Sequence, residues 1–193
     1  VTPAVDHGRP VLRVLFVCTA NQCRSPMAAA ILRAKLDAAG IEGVSVESAG
    51  LLPGGARATP EAAATVPGLD DHVSRRLTPE LVAAADLVIG MTREHVREVA
   101  VADRESLGRA FTLKELVRRG EAAGPRAGEE PLGAWLARVA AGRSPMDLLG
   151  ASPDDDIDDP IGRSRSVYRR TAEELERLLD RLVALVWPES WYG

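Results

Sequence analysis

Residues 11–40 read VLRVLFVCTANQCRSPMAAAILRAKLDAAG. Val11 to Val17 are branched and apolar except for Arg13, the composition of a strand buried on both faces of a parallel sheet. From Ser25 the pattern changes. Ser25 suits a helix N-cap, Pro26 suits the first helical position, and Met27, Ile31, Ala34 and Ala38 recur at helical spacing until Gly40. A strand, an interruption at 18–24 and a helix make the first half of a βαβ unit.

The rest of the chain repeats this alternation. A second strand at Val44 to Glu47 runs into Ser48-Ala49-Gly50 and a Gly/Pro-rich loop. Thr59-Pro60 opens a helix to about Val66, and Thr78-Pro79 starts a short one within Leu77 to Ala84. Asp86 to Gly90 is a third strand, Thr92 caps a helix to about Ala100, and Arg109 to Thr112 is a fourth strand before a helix at Leu113 to Arg119. Ser164 to Val186 is a long amphipathic helix with Tyr168, Leu175, Leu178, Leu179, Leu182 and Val186 on one face, ended by Trp187-Pro188. The expected fold is α/β: three layers, doubly wound, on a four-stranded parallel sheet. Residues 11–187 are expected as a single domain, with 120–153 an insertion carrying one helical pattern near Leu132 to Ala141. Residues 1–10 and 188–193 are expected as flexible or loosely packed tails, and Trp187, Trp191 and Tyr192 as an end-cap rather than a partner contact.

Composition narrows the function. The chain has 193 residues, 46% hydrophobic and 27% charged, enough for a packed core. Its 24 basic and 28 acidic side chains give a net charge of −4, against the basic surplus a nucleic-acid binder needs. No apolar run reaches membrane-spanning length and no secretory h-region is evident. Two cysteines, Cys18 and Cys23, make neither a disulfide framework nor a cysteine zinc site, and His7, His72 and His95 are scattered. The expectation is a cytoplasmic protein with no metal site.

The chemistry is expected in the interruption, Cys18-Thr-Ala-Asn-Gln-Cys-Arg24-Ser25. In an open parallel sheet ligands sit at the carboxyl ends of the strands. A loop entering a helix there aims backbone N–H groups and the positive helix end at one spot, a nest for a phosphate-like dianion. Thr19, Ala20, Asn21, Gln22, Cys23, Arg24 and Ser25 are the phosphate-binding candidates. Cys18 at the floor is the nucleophile, expected as thiolate. Arg24 offers a fork to two phosphate oxygens, and the Ser25 hydroxyl can donate to the sulfur. A leaving oxygen also needs a proton. The acidic run at 154–159, DDDIDD, precedes Pro160, which holds Asp159 extended. The run lacks the EF-hand glycine and glutamate, so calcium is set aside. By itself it reads equally as solvated acid.

These residues together resemble the low-molecular-weight protein tyrosine phosphatase family. VLFVCTANQCRSPMA is similar to its Cys-x5-Arg-Ser signature, and Ser48-Ala49-Gly50, the His72 to Leu77 stretch, Asp86-Leu87 with Met91-Thr92, and Asp159-Pro160 follow in family order. The resemblance covers about 11–118 and 156–186. It implies a phosphocysteine on Cys18, phosphate clamping by Arg24, and Asp159 as the acid that later activates water. No cofactor is implied. Asn21 is implied as the residue whose unusual backbone conformation shapes the loop, and Ser48 and His72 as members of its supporting hydrogen-bond network. Gln22 and Ile161 fall at substrate-pocket positions where the family favours an aliphatic and an aromatic residue, so the implied phosphotyrosine protein substrate is open to question. The alternative is protein-arginine phosphatase, whose members favour threonine where Gln22 stands. Thioredoxin-coupled arsenate reduction needs cysteines beyond Cys23, which the chain lacks. A silent anion-binding interaction module is disfavoured by the joint presence of Cys18, Arg24, Ser25 and Asp159. A redox pair is a further expectation: an accessible Cys18 oxidised first, then trapped by Cys23 as a disulfide.

Overall fold

A computed structural model describes residues 12–188. Four strands, β1 (Leu12–Cys18), β2 (Val44–Gly50), β3 (Leu87–Gly90) and β4 (Ala110–Thr112), form one sheet in the order β2-β1-β3-β4. Every pairing is parallel, with Val14 opposite both Val46 and Leu87, and Val88 opposite Ala110. β1 feeds β2 on one side while β3 lies on the other, so the winding reverses at β1, where ligands of open α/β sheets bind.

Side chains of β1 alternate between two cores. Leu12, Val14, Phe16 and Cys18 join a large core with α1 (Arg24–Ala38), α2 (Pro60–Thr65), α5 (Leu113–Ala123), α6 (Leu132–Val139) and α7 (Arg165–Val186). Leu15 and Val17 join a smaller core with α3 (Pro79–Ala84) and α4 (Arg93–Ala102). Helices on both faces of a parallel sheet give the three layers that the alternation predicts. Thr59, Thr78, Thr92 and Thr112 each accept a backbone N–H at the start of α2, α3, α4 and α5.

The main difference from the sequence reading is at α1. The helix starts at Arg24, and its N-cap is Cys23, with no side-chain cap bond. Ser25 therefore lies inside the first turn, where its hydroxyl is directed at Cys18 (below). The buried face also differs: Leu32 and Leu36 are buried, whereas Ala34 and Ala38 are exposed. From Met27 to Leu32 every residue is buried, so period alone misplaces the face there. β2 runs three residues past Glu47, which carries Ser48 to Gly50 alongside the loop after β1. Within 120–153 the chain finishes α5, forms α6 and adds a 3₁₀ turn at Pro145–Leu148. Trp135 of α6 is fully buried and its indole N–H donates to the Gly124 carbonyl at 2.9 Å. Trp187 is buried at the end of α7. The tails, with Trp191 and Tyr192, lie outside the described residues.

Candidate active site

The loop after β1 is shaped by Asn21, the one non-glycine residue with positive φ (54°) among the described residues. Asparagine tolerates this left-handed conformation better than most side chains. Its polar groups are fully used. The side-chain amide donates to Ser25 Oγ (2.9 Å) and Ser48 Oγ (2.8 Å), and its Oδ1 accepts the Arg75 N–H (3.0 Å). The backbone carbonyl meets His72 Nε2 at 2.7 Å, and the backbone N–H donates to Cys18 Sγ at 3.2 Å. The structure thus brings Asn21, Ser25, Ser48 and His72 together as one network. Arg75 extends it, its Nε donating to the Ser48 carbonyl (2.9 Å) and its Nη2 pairing with Glu47 (2.8 Å).

The loop's carbonyls point outward. Leu52 N–H holds the Thr19 carbonyl (3.0 Å), His72 holds that of Asn21, and Thr59 N–H holds that of Gln22 (2.9 Å). Because a trans peptide sets its N–H opposite its C=O, the N–H groups of Ala20, Gln22 and Cys23 face the interior of the loop. A ring of donors over a helix start is an anion nest. Gly50 makes room for it: a Cβ there would lie 2.8 Å from both Asn21 N and Thr19 O.

Cys18 is 1% exposed, not the accessible thiol expected, because its sulfur sits at the loop floor. Two donors converge on it, the Asn21 N–H and the Ser25 hydroxyl at 3.0 Å. Cys23 is also buried and free, its Sγ directed at Asp159 Oδ1 across 3.7 Å. Burial, then the neighbouring Cys18 and Asp159, push the Cys23 thiol up to about 12.

Arg24 is 4% exposed. Its Nη1 donates to the Ile157 carbonyl (3.1 Å), and its Nη2 to Thr19 Oγ1 (3.3 Å) and Asp159 Oδ2 (2.5 Å). Its Nε is buried with no partner among the described residues. An orphaned guanidinium donor in a loop of inward-facing amides is able to receive an anion's oxygens. Asp159 reaches this point from 135 positions along the chain, its side chain partly open to solvent. Its other oxygen accepts the Ile161 N–H (3.1 Å), a turn that folds over Pro160. Ile161 is exposed at the rim and Gln22 is half-buried.

Sequence reasoning passed over His95. It is buried on α4, its Nε2 3.0 Å from Thr19 Oγ1 and its Nδ1 2.8 Å from Thr92 Oγ1. Burial, then the Arg24 charge, lower it to about 3, so it is neutral. Its position three residues after the capping Thr92 was the available signal.

The family model described as low molecular weight phosphotyrosine protein phosphatase matches residues 13–128. The chain belongs to that family. This low-molecular-weight phosphatase is 33% identical over 174 residues to the protein-arginine-phosphatase of Bacillus subtilis (strain 168), a match spanning 88% of the chain and 93% of that protein. It is also 33% identical to the low molecular weight protein-tyrosine-phosphatase Etp of Escherichia coli (strain K12), over 117 residues, 58% of the chain and 76% of the relative. Among solved structures it resembles a YwlE arginine phosphatase whose active-site cysteine is replaced by a phosphorylated serine (TM-score 0.65, 32% identity, 89% of this chain and 93% of that one). The phosphatase is a cysteine-dependent enzyme with its Cys-x5-Arg loop directly after the first strand. Among the described residues, no helix is long and apolar enough to cross a membrane.

Proposed function

We propose that the protein removes the phosphoryl group from phosphoarginine side chains of proteins, through a phosphocysteine on Cys18. The Cys18 thiolate attacks phosphorus while Asp159 gives its proton to the departing guanidine nitrogen, and the P–N bond breaks as S–P forms. Arg24 exchanges its ion pair with Asp159 for the phosphoryl oxygens, which the N–H groups of Ala20, Gln22 and Cys23 also receive. The Ser25 hydroxyl donates to the sulfur as it leaves. Asp159, now a carboxylate, takes a proton from water as that water attacks phosphorus, and S–P cleavage returns the thiolate and phosphate. Ser48 and His72 hold Asn21, and through it the loop.

The convergence of Cys18, Ser25, Arg24 and Asp159 carries the mechanism. The choice of phosphoarginine rests on the rim. Asp158 and Asp159 are exposed there beside Ile161, and every aromatic side chain among the described residues is buried. Carboxylates suit a guanidine leaving group, whereas a tyrosine ring is best held between aromatic walls. The likeness to an arginine phosphatase over 93% of that protein's length supports placing phosphoarginine first, against the order that Gln22 suggests. Phosphotyrosine is the second reading, favoured by the family description and by the exposed apolar Leu52 and Ile161. Comparing kcat/KM on one protein carrying phosphoarginine and on another carrying phosphotyrosine decides between them; preference for phosphotyrosine rejects the first reading.

We assign the activity to one domain, 11–187, with 120–153 as an elaboration, in the cytoplasm, where thiols stay reduced. We further propose redox control at the same loop, reached through the anion nest because Cys18 itself is buried. Peroxide converts the Cys18 thiolate to sulfenic acid, and the Cys23 thiol then displaces water to form a disulfide. Inactivation reversed by dithiothreitol in wild type but poorly in Cys23→Ser supports this; equal recovery rejects it.

A further inference from the structure

The acidic run at 154–159 contains five carboxylates, and they do not behave alike. Asp154, Asp158 and Asp159 are exposed, but Asp155 is 4% exposed. Its Oδ2 accepts from Arg93 of α4 (Nε 2.7 Å, Nη2 2.6 Å) and its Oδ1 from Nη1 of Arg118 of α5 (2.7 Å). Asp156 makes a second attachment, its Oδ1 accepting the N–H of Arg93 at the start of α4 (2.8 Å) and its Oδ2 the N–H of Ser152 (2.9 Å). The Asp156 carbonyl accepts from Lys114 Nζ (2.7 Å). One residue on, buried Ile157 donates its N–H to the Met91 carbonyl (2.8 Å) and lends its own carbonyl to Arg24. The run is a splice: one end is fastened to α4, α5 and the end of β3, and the other carries Asp159.

We infer that Asp155, gripped by Arg93 and Arg118, is a positioning residue that sets where Asp159 stands over the Cys-x5-Arg loop. One residue, Asp158, separates Ile157 from Asp159, and Pro160 restricts the backbone beyond, so little slack remains between clamp and acid. Loosening the clamp displaces the proton donor, while Arg24, seated on α1 and bonded to Thr19 Oγ1, and the amides around Cys18 keep their places. This rests on Asp159 being the general acid. Burial opposes the Asp155 charge, yet the hydrogen bonds from Arg118 and Arg93 hold its pKa below the ordinary carboxylate range, so the clamp is charged at neutral pH.

The test compares phenyl phosphate, whose leaving group needs a proton, with 2,4-dinitrophenyl phosphate, whose leaving group does not. Asp155→Asn should lower kcat/KM on phenyl phosphate, which reports phosphoryl transfer to Cys18 and not the later hydrolysis, by about 10- to 100-fold, the effect of displacing a reacting group by about an ångström. On 2,4-dinitrophenyl phosphate kcat/KM should change less than about 3-fold, with inorganic phosphate inhibiting as in wild type. Arg118→Gln, at a half-exposed partner, should show the same split more weakly and serves if Asp155→Asn does not fold. In an Asp159→Asn background, Asp155→Asn should add little further loss. Equal losses on both substrates, no loss, or full additivity with Asp159→Asn overturn the inference. If Asp159→Asn itself shows no leaving-group dependence, the general-acid reading fails, and that result is read without any clamp variant.

Discussion

The two halves of the site are built on opposite principles. The nucleophile half is one unbroken run, Cys18 to Ser25, with a left-handed asparagine and a helix start of its own, braced from outside by Ser48, His72 and Arg75. The acid half is assembled. Asp159 meets Arg24 at the end of a run that side chains from α4 and α5 and a carbonyl from the end of β3 hold in place. Binding and attack draw on residues contiguous in the chain, whereas proton transfer draws on a carboxylate brought in from 135 positions away, so substitutions in the two halves should have different kinetic signatures.

The largest effect should come from the nucleophile. Cys18→Ser should cut turnover by roughly 10⁴-fold or more, since a serine hydroxyl is largely protonated where a thiol ionises. Far-UV circular dichroism and phosphate binding should stay close to wild type. Mass spectrometry should find a phosphoryl adduct in Cys18→Ser and none in Cys18→Ala. Substantial steady-state turnover by either variant would remove Cys18 from the mechanism.

Asp159→Asn comes next, with an expected loss in kcat/KM of roughly 10²–10⁴-fold on phenyl phosphate and much less on 2,4-dinitrophenyl phosphate. If Asp158→Asn shows that dependence and Asp159→Asn does not, the acid is the neighbouring carboxylate.

The sequence was legible where interactions are local. Strand β1, the Cys-x5-Arg loop and the threonine-capped helices could be read because their determinants lie within a few residues of one another. Ser25 was read as a cap for its residue type, and only the three-dimensional approach of Cys18 shows where its hydroxyl goes. Asp155 looked like solvated acid because its partners Arg93 and Arg118 lie 62 and 37 positions away, in helices whose relative placement no local pattern fixes. His95 was one of three scattered histidines for the same reason.

Gly50 probes how rigid the local half is. Its missing side chain faces backbone atoms of the loop at 2.8 Å, which have no rotamer by which to yield. Gly50→Ala should lower stability by about 1–3 kcal/mol, as overpacking does, and weaken inhibition by phosphate along with kcat/KM. Equal percentage losses on phenyl and 2,4-dinitrophenyl phosphates would separate this variant from Asp155→Asn. Unchanged phosphate inhibition would mean that the loop adapts.

His95 joins the halves from below and should give the smallest effect, read as pH dependence. Thr19 Oγ1 already accepts from Arg24, so its hydroxyl hydrogen is free for His95 Nε2, which leaves the ring proton on Nδ1 facing Thr92 Oγ1. A proton on Nε2 would break that order and stand near the Arg24 charge. Folded, the imidazole titrates at about 3, whereas unfolded it titrates near its ordinary value of about 6.5. Below about pH 6.5 the unfolded chain takes up a proton that the folded chain refuses, so stability falls with pH by up to about 1.4 kcal/mol per unit until the folded value is reached. Above about 6.5 the term vanishes. His95→Gln should be less stable than wild type at pH 7.5, and the gap measured by urea unfolding should narrow between pH 6.5 and 4.5. That window lies above the range where Asp155, held low by its arginines, becomes protonated. A gap that stays constant across it would show that His95 is not held neutral beneath the loop.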